Sequence, residues 1–189
     1  MAHGVQFIET DNQIKETVLQ LISQQSFEII TVNAIIKATH IGRSTFYEHY
    51  EDKYAVVEAM NRQYTSLFAK LIDERIPRLK DSHQAADNLY EVVKVLMQHQ
   101  SKLYRLLDLK ISGISLTDDF SEVLSVRLRQ SEALQQYSEQ FKVDVNYLTN
   151  LYTVIAMTQI KWQLEHGEDE AVIALSNRLL SVARIGLGD

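Results

Sequence analysis

The sequence predicts an all-α protein, in which an N-terminal three-helix helix-turn-helix domain is joined by a long helix to a larger helical domain. The 189 residues include one proline and six glycines, so few positions carry the turn signals of β-hairpins. Apolar residues recur at helical spacing along most of the chain. Three short helical segments come before longer ones, and this change places the domains at residues 1–60 and 61–189.

The composition limits the class of protein. The chain has no cysteine, which excludes disulfide bonds, thiolate nucleophiles and cysteine metal sites and fits a reducing compartment. No apolar run approaches the roughly 18 residues of a membrane span. The first residues also lack the basic and then apolar pattern of a signal peptide. We therefore expect a cytoplasmic protein that does not enter a membrane.

Three short helices are predicted near the N-terminus. The first covers residues 13–25, where apolar residues follow the stripe of a half-buried helix. Thr31 is a favourable N-cap for the second, over residues 32–39. The third covers residues 43–50 after a break of three residues. Two short helices joined by such a break match the helix-turn-helix pattern.

A long fourth helix is predicted to follow directly. Asp52 caps its start, and Pro77 disfavours helical geometry at the residue before it, so the helix covers residues 53–75. At 1.5 Å per residue it forms a strut of roughly 35 Å. The two domains are therefore expected to be joined without a flexible linker.

The third helix has one flank for the core and another for a partner. At 100° per residue Phe46 and Tyr50 lie together, and we interpret them as core. The first turn, Arg43-Ser44-Thr45, meets base edges when a helix enters the major groove end-on. Arg43 suits a bidentate pair with guanine, and Thr45 suits a thymine methyl group.

Side chains around this helix are placed to contact phosphates. The candidates are Thr31, Tyr47, His49 and Lys53. Thr31 and Lys53 stand at helix starts, where backbone N–H groups also bind phosphate. Taken singly, each residue has an ordinary explanation: an Arg-Ser-Thr turn is usually solvated, a tyrosine usually packs, and a histidine usually lies on the surface. The joint arrangement favours DNA.

Residues 13–60 resemble the DNA-binding domain of TetR-type transcriptional repressors. The resemblance is carried by Phe27 and by TVNAIIKATHIGRSTFYEHYEDKYAVVEAM, residues 31–60. It implies a two-domain helical dimer that binds a palindromic operator and releases it when a small molecule enters the larger domain. It assigns base reading to Arg43, Ser44 and Thr45, and phosphate contacts to Thr31, Tyr47, His49 and Lys53.

The sequence departs from the family pattern at two positions. The turn glycine common in the family is His40 here, which predicts a non-glycine residue in the left-handed conformation. The usual serine cap of the recognition helix is Gly42, which caps tolerably but offers no side chain to a phosphate.

The charge of the helix-turn-helix segment is low for a DNA-binding surface. The whole chain has a formal net charge of −6. From residue 31 to residue 53 the basic side chains equal the acidic ones in number: Lys37, Arg43 and Lys53 against Glu48, Glu51 and Asp52. We therefore expect few neutralised phosphates per half-site and weak non-specific binding.

The last two helices predict a dimer interface. Residues 144–165 and 169–185 form a hairpin around Gly167, and the first of these helices is apolar on most sides. A symmetry mate is an economical cover for it, although a core helix of a monomer is the alternative. The predicted interface residues are Leu148, Leu151, Tyr152, Ile155, Val172, Leu175 and Leu179.

The middle of the chain is less informative. Thr117 is interpreted as the cap of a helix that continues to Leu134. An effector cavity has six candidate lining residues, although such a stripe is more often ordinary core: Tyr90, Met97, Tyr104, Leu107, Phe120 and Trp162. The sequence has no H-E-x-x-H spacing, phosphate-binding glycine loop or nucleophile elbow. We expect no metal, no cofactor and no enzymatic activity.

The sequence therefore predicts a sequence-specific DNA-binding regulator, a dimeric and ligand-responsive repressor with a double-stranded DNA operator and a small-molecule effector as partners. The alternative is a helical adaptor that keeps the fold but binds a protein through the third helix. The neutral charge of residues 31–53 favours this alternative slightly.

Overall fold

The computed structural model describes residues 2–75 and 82–182, and within these ranges the chain is all-α. The ten helices there are α1 Ala2–Ile22, α2 Val32–Thr39, α3 Arg43–His49, α4 Lys53–Arg75, α5 Ser82–Met97, α6 Gln100–Asp108, α7 Leu116–Arg129, α8 Glu132–Phe141, α9 Val145–His166 and α10 Glu170–Val182. A 3-10 turn, Phe27–Ile29, lies between α1 and α2. The predicted fold class is confirmed. Of the helices described, none is long and apolar enough to cross a membrane.

The chain divides into two compact units. The first unit contains Met1–Gln63 together with Asp108–Ser115, and the second contains Tyr64–Leu107 and Leu116–Asp189. The division falls inside α4, close to the predicted boundary after residue 60. Asp52 caps α4 as predicted, because its Oδ1 accepts the Ala55 N–H at 2.8 Å. Pro77 lies outside the described residues, as does the predicted end of the last helix beyond residue 182.

The first unit packs α1, α2, α3 and the start of α4 around a small apolar core. Its fully buried members include Ile14, Val18, Ile35, Phe46 and Val56. The predicted start of the first helix was wrong, since α1 begins at Ala2 rather than near residue 13. The added segment exposes its apolar side chains, so it does not continue the buried stripe from which the start was predicted.

The second unit is built around the contact of α7 with α9. Phe68 of α4 stacks on Phe120 of α7 with ring centroids 4.1 Å apart, and both rings are fully buried. Ser125 of α7 and Thr153 of α9 approach within 3.3 Å and share a hydrogen bond. The side-chain amide of Gln100 in α6 donates a hydrogen bond from Nε2 to the Leu164 carbonyl of α9 at 3.0 Å.

Two predictions for the middle of the chain were wrong. The helix expected to continue to Leu134 ends at Arg129, and Ser131 begins a separate helix, α8. Thr117 does not cap α7, which begins one residue earlier at Leu116. The Thr117 hydroxyl instead donates to the Leu107 carbonyl at 2.9 Å, so it ties α7 to the end of α6.

The hairpin of α9 and α10 follows the prediction closely. Asp144 caps α9, since its Oδ1 accepts the Asn146 N–H at 2.6 Å. Gly167 ends α9 with φ of +87°, a conformation that suits glycine. The two helices then pack against each other.

Candidate nucleic-acid interface

The turn between α2 and α3 has the conformation predicted for it. Thr31 caps α2 by accepting the Ala34 N–H at 3.1 Å, which leaves its hydroxyl proton free to donate. His40 ends α2 in the left-handed conformation, with φ of +55°. Gly42 caps α3 with extended backbone and no side-chain bond. The Thr31 side chain and the start of α3 are both exposed on the surface of this domain.

The third helix has a buried anchor and an exposed outer face. Phe46 and Tyr50 are buried, as the sequence predicts. Arg43 and Ser44 are exposed, Thr45 is half-buried, and the Tyr47 side chain is 46 % exposed. The first turn of α3 is therefore free to meet a partner while the opposite flank holds the helix in place.

Arg43 is directed by neighbours that do not neutralise its charge. Its Nη1 donates to the Asn33 side-chain oxygen at 3.4 Å, and its Cζ lies 5.7 Å from the centre of the Tyr47 ring. These partners are an amide and an aromatic ring. Asn33 was not among the predicted site residues, although its position in the first turn of α2 was a signal for it.

His49 is held more closely than the sequence suggested. Its ring stacks on Phe7 of α1 with centroids 3.8 Å apart, and its side chain is half-buried. The buried Nδ1 has no hydrogen-bond partner among the described residues. Phe7 belongs to the part of α1 that the sequence did not predict, which is why this contact was missed.

The ammonium group of Lys53 points into the domain. Its Nζ donates to the backbone carbonyls of Phe27, Glu28 and Ile30 at 2.7, 2.9 and 2.8 Å. It also lies 4.6 Å from the centre of the Phe27 ring and 5.3 Å from that of Tyr54. The predicted contact of this side chain with a phosphate would require these bonds to be replaced.

A partly buried polar cluster ties the end of α3 to α1. Tyr50 Oη and Lys15 Nζ both donate to the Asp11 carboxylate, the latter at 2.8 Å. Burial acts to raise the pKa of Asp11, but these two hydrogen bonds outweigh it and leave the pKa below its ordinary value. Burial and the bond to Asp11 raise the pKa of the Tyr50 phenol well above its usual range.

The N-terminal domain is similar to a known protein family. Residues 15–60 match the family model described as "Bacterial regulatory proteins, tetR family". An HTH-type transcriptional regulator of Staphylococcus aureus (strain bovine RF122 / ET3-1), SAB2452, is 26 % identical over 190 residues, which cover 93 % of this chain and 92 % of that protein.

The match of residues 15–60 and the similarity along the chain support a TetR-family transcriptional regulator. The proteins that it resembles are transcriptional regulators rather than enzymes, in agreement with the prediction. The fold agrees over nearly the whole chain. A TetR-family regulator of Syntrophomonas wolfei str. Goettingen superposes with a TM-score of 0.66 at 18 % identity, over 95 % of this chain and 97 % of that one. Thermus thermophilus FadR, a TetR-family repressor in complex with lauroyl-CoA, superposes with a TM-score of 0.55 at 14 % identity, over 95 % of each chain.

The six predicted pocket residues do not share one environment. Phe120 and Leu107 are buried, while Met97 and Tyr90 are half-buried. The Tyr90 hydroxyl donates to Glu168. Tyr104 and Trp162 are 41 % and 42 % exposed, and Trp162 stacks on His166. The four buried or half-buried residues remain candidates for lining a pocket, which stays a prediction. The side chains of Tyr104 and Trp162 face solvent.

An apolar stripe runs along the exposed side of the α9–α10 hairpin. Its large exposed side chains are Tyr147, Leu151, Val154 and Trp162 on α9 and Leu175 and Leu179 on α10. Three of the predicted interface residues, Leu151, Leu175 and Leu179, belong to this stripe. Leu148 faces the core instead, and Tyr152, Ile155 and Val172 are half-buried. Tyr147 and Val154 were missed because a helix that is apolar all round does not reveal which face is covered.

Proposed function

We propose that this TetR-family regulator is a ligand-responsive repressor that binds a palindromic operator as a homodimer in the cytoplasm. The observation that carries the proposal is the form of α3. Arg43 and Ser44 in its first turn are exposed, and Arg43 contacts an amide and an aromatic ring among the described residues, while Phe46 and Tyr50 fix the opposite flank. A helix presented in this way can enter the major groove with its N-terminal turn at the base edges.

The individual residues divide into readers and positioning contacts. Arg43 pairs with guanine, and Ser44 and Thr45 meet the neighbouring base edges. Thr31 and Tyr47 donate their hydroxyl protons to phosphates on either side of the groove. His49 is already packed on Phe7, so it contacts a phosphate only through the part of its ring that faces solvent.

The apolar stripe of α9 and α10 supports the homodimer. Large exposed apolar side chains aligned on one face mark an interaction surface. A second copy covers this face by placing its own stripe against it around a two-fold axis. The same axis relates two recognition helices, and these read the two halves of a palindrome.

The ligand response rests on the second unit. Leu107, Phe120, Met97 and Tyr90 are the inner candidates for an effector cavity, and the lauroyl-CoA complex of the Thermus thermophilus repressor shows that one relative binds a small molecule. Effector binding changes the tilt of α4 and, in the dimer, the separation of the recognition helices. A complex with effector bound and an unchanged separation would contradict this mechanism.

Selection of binding sites from random duplex DNA tests the proposal directly. Wild-type protein is expected to enrich a two-fold palindrome, and the Arg43→Ala/Tyr47→Ala double variant is expected to enrich none. Circular dichroism and size-exclusion chromatography establish that both proteins are folded and have the same oligomeric state. Absence of enrichment by folded, dimeric wild type would exclude operator binding and favour the adaptor alternative.

A further inference from the structure

We propose that Lys53 is a positioning residue for DNA binding, whose ammonium fixes the start of α4 to the 3-10 turn and makes no direct contact with phosphate. The inference rests on DNA binding by this family and concerns how this chain achieves it. Its basis is the set of three backbone hydrogen bonds from Lys53 Nζ.

The hydrogen bonds use all the donors that the side chain has. An ammonium group carries three protons, and the three carbonyl oxygens lie at 2.7, 2.9 and 2.8 Å, within the normal range for N–H···O bonds. The rings of Phe27 and Tyr54 flank the charge and favour a cation at this position. A phosphate oxygen can therefore bind Lys53 only by displacing one of the carbonyl oxygens. The displaced carbonyl would then lose its hydrogen-bond donor, which is unfavourable.

The hydrogen bonds join two elements that carry proposed phosphate contacts. The acceptors are the 3-10 turn and Ile30, and Thr31, the N-cap of α2, follows directly. Lys53 itself is the first residue of α4. Since Asp52 takes the Ala55 N–H, the N–H groups of Lys53 and Tyr54 in the same first turn have no intrahelical acceptor and suit a phosphate. Lys53 thus sets the spacing between Thr31 and the first turn of α4.

Arginine separates the effect of charge from that of geometry. Lys53→Arg keeps the positive charge, and at a phosphate an arginine binds at least as well as a lysine. In the cradle of three converging carbonyls, the longer and planar guanidinium cannot reproduce the three bonds of an ammonium. A direct phosphate contact predicts that Lys53→Arg binds DNA like wild type, whereas positioning predicts that it fails in the same way as Lys53→Met.

The experiment measures affinity of the full chain for a random-sequence duplex of about 30 base pairs, by fluorescence anisotropy at several salt concentrations. The variants are Lys53→Met, Lys53→Arg and, as a matched control, Lys37→Met, which removes one charge from an exposed position on α2. Measurements at 10 °C, with folding verified by circular dichroism, separate positioning from a loss of global stability.

We expect both Lys53 variants to lose about tenfold in affinity at every salt concentration with the slope of log K against log[salt] unchanged, and Lys37→Met to lose less affinity than either. Amide hydrogen exchange without DNA is expected to accelerate over residues 26–31 in both Lys53 variants. If Lys53→Met does not fold, the affinity of Lys53→Arg alone distinguishes positioning from a direct phosphate contact.

Three results would overturn the proposal. Wild-type affinity for Lys53→Arg, or a slope smaller by about one per subunit for Lys53→Met, would establish a direct phosphate contact. Lower melting temperatures with unchanged affinity at 10 °C would reduce Lys53 to a structural role. If wild type itself fails to bind the duplex, non-specific DNA binding is refuted, and the exchange data still decide whether Lys53 holds the 3-10 turn.

Discussion

The phenol of Tyr50 donates a hydrogen bond to the carboxylate of Asp11, and this bond ties the end of the recognition helix to α1. Lys15, one turn further along α1, donates to the other carboxylate oxygen. The helix α3, the proposed recognition helix, is therefore held by a charged cluster at its C-terminal end and by Phe46 in its middle, which leaves its first turn exposed for the proposed contact with DNA.

Replacing Asp11 is expected to destabilise the protein in a pH-dependent way. Asp11→Asn removes a partly buried charge that accepts two hydrogen bonds, and we expect it to lower the free energy of unfolding by about 1–3 kcal/mol at pH 7. Because the folded state depresses the pKa of Asp11, its contribution is present above the ordinary value of 3.8 and is lost as the pH falls through the folded pKa. Urea unfolding at pH 7 and pH 2.5 measures the difference. Glu9→Gln, at an exposed position on α1, is the control, and an equal loss at both pH values would contradict the assignment.

The protein is expected to be less stable with histidine than with glycine at position 40. With φ of +55°, its backbone is in the left-handed region, where a side chain is disfavoured. We expect His40→Gly to raise the free energy of unfolding by about 0.5–1 kcal/mol and His40→Ala to lower it. Chemical denaturation of the three proteins provides the comparison. A glycine variant less stable than wild type would mean that the His40 side chain makes a stabilising contact.

A charge in the middle of the apolar stripe is expected to weaken the proposed dimer. Val154 is 63 % exposed in the single chain, and a second copy would bury it. Val154→Glu then places an unpaired carboxylate in an apolar interface, and we expect the dimer dissociation constant to rise at least tenfold. Light scattering over a concentration series measures it. Gln98→Glu adds the same charge at an exposed position in the turn between α5 and α6 and should leave the dimer intact, so equal effects of the two changes would exclude this face.

The dependence of DNA affinity on salt is expected to be shallow. With Lys53 bound internally, the basic side chains left between residues 31 and 53 are Lys37 and Arg43. Even with both side chains at phosphates, two contacts per half-site would give a slope of log K against log[salt] no steeper than roughly −4 for the dimer. Filter binding between 50 and 300 mM salt is suitable for the measurement. A slope steeper than about −8 would require basic residues outside this segment to reach the DNA.

Local signals in the sequence predicted much of the DNA-binding domain. Thr31 caps α2 and Asp52 caps α4, as predicted. The burial of Phe46 and Tyr50 follows from their helical spacing. The left-handed conformation of His40 was predicted from the family resemblance, because a turn glycine is common at this position in the family. Each of these features depends on neighbours within a few residues, and such neighbours are visible in a linear sequence.

Features that depend on distant residues were not predictable. The Lys53 acceptors lie 23 to 26 residues away in the chain, and no spacing rule indicates them. The N-terminal part of α1 lacks a buried stripe, so apolar periodicity gave no sign of a helix. By contrast, the break before α8 had a readable signal, because Ser131 followed by the acidic Glu132 is typical of a helix start.

The hydrogen bonds of Lys53 also bear on chemical modification of the protein. An amine attacks an acylating reagent through its nitrogen lone pair, and the protons on the Lys53 nitrogen are hydrogen-bonded to backbone carbonyls, so that lone pair is not exposed while the bonds hold. The exposed Lys37 has no such barrier in its surroundings on α2. Lysine-directed labelling will therefore mark Lys37 well before Lys53, and acylation of Lys53 will report the opening of the contact between α4 and the 3-10 turn.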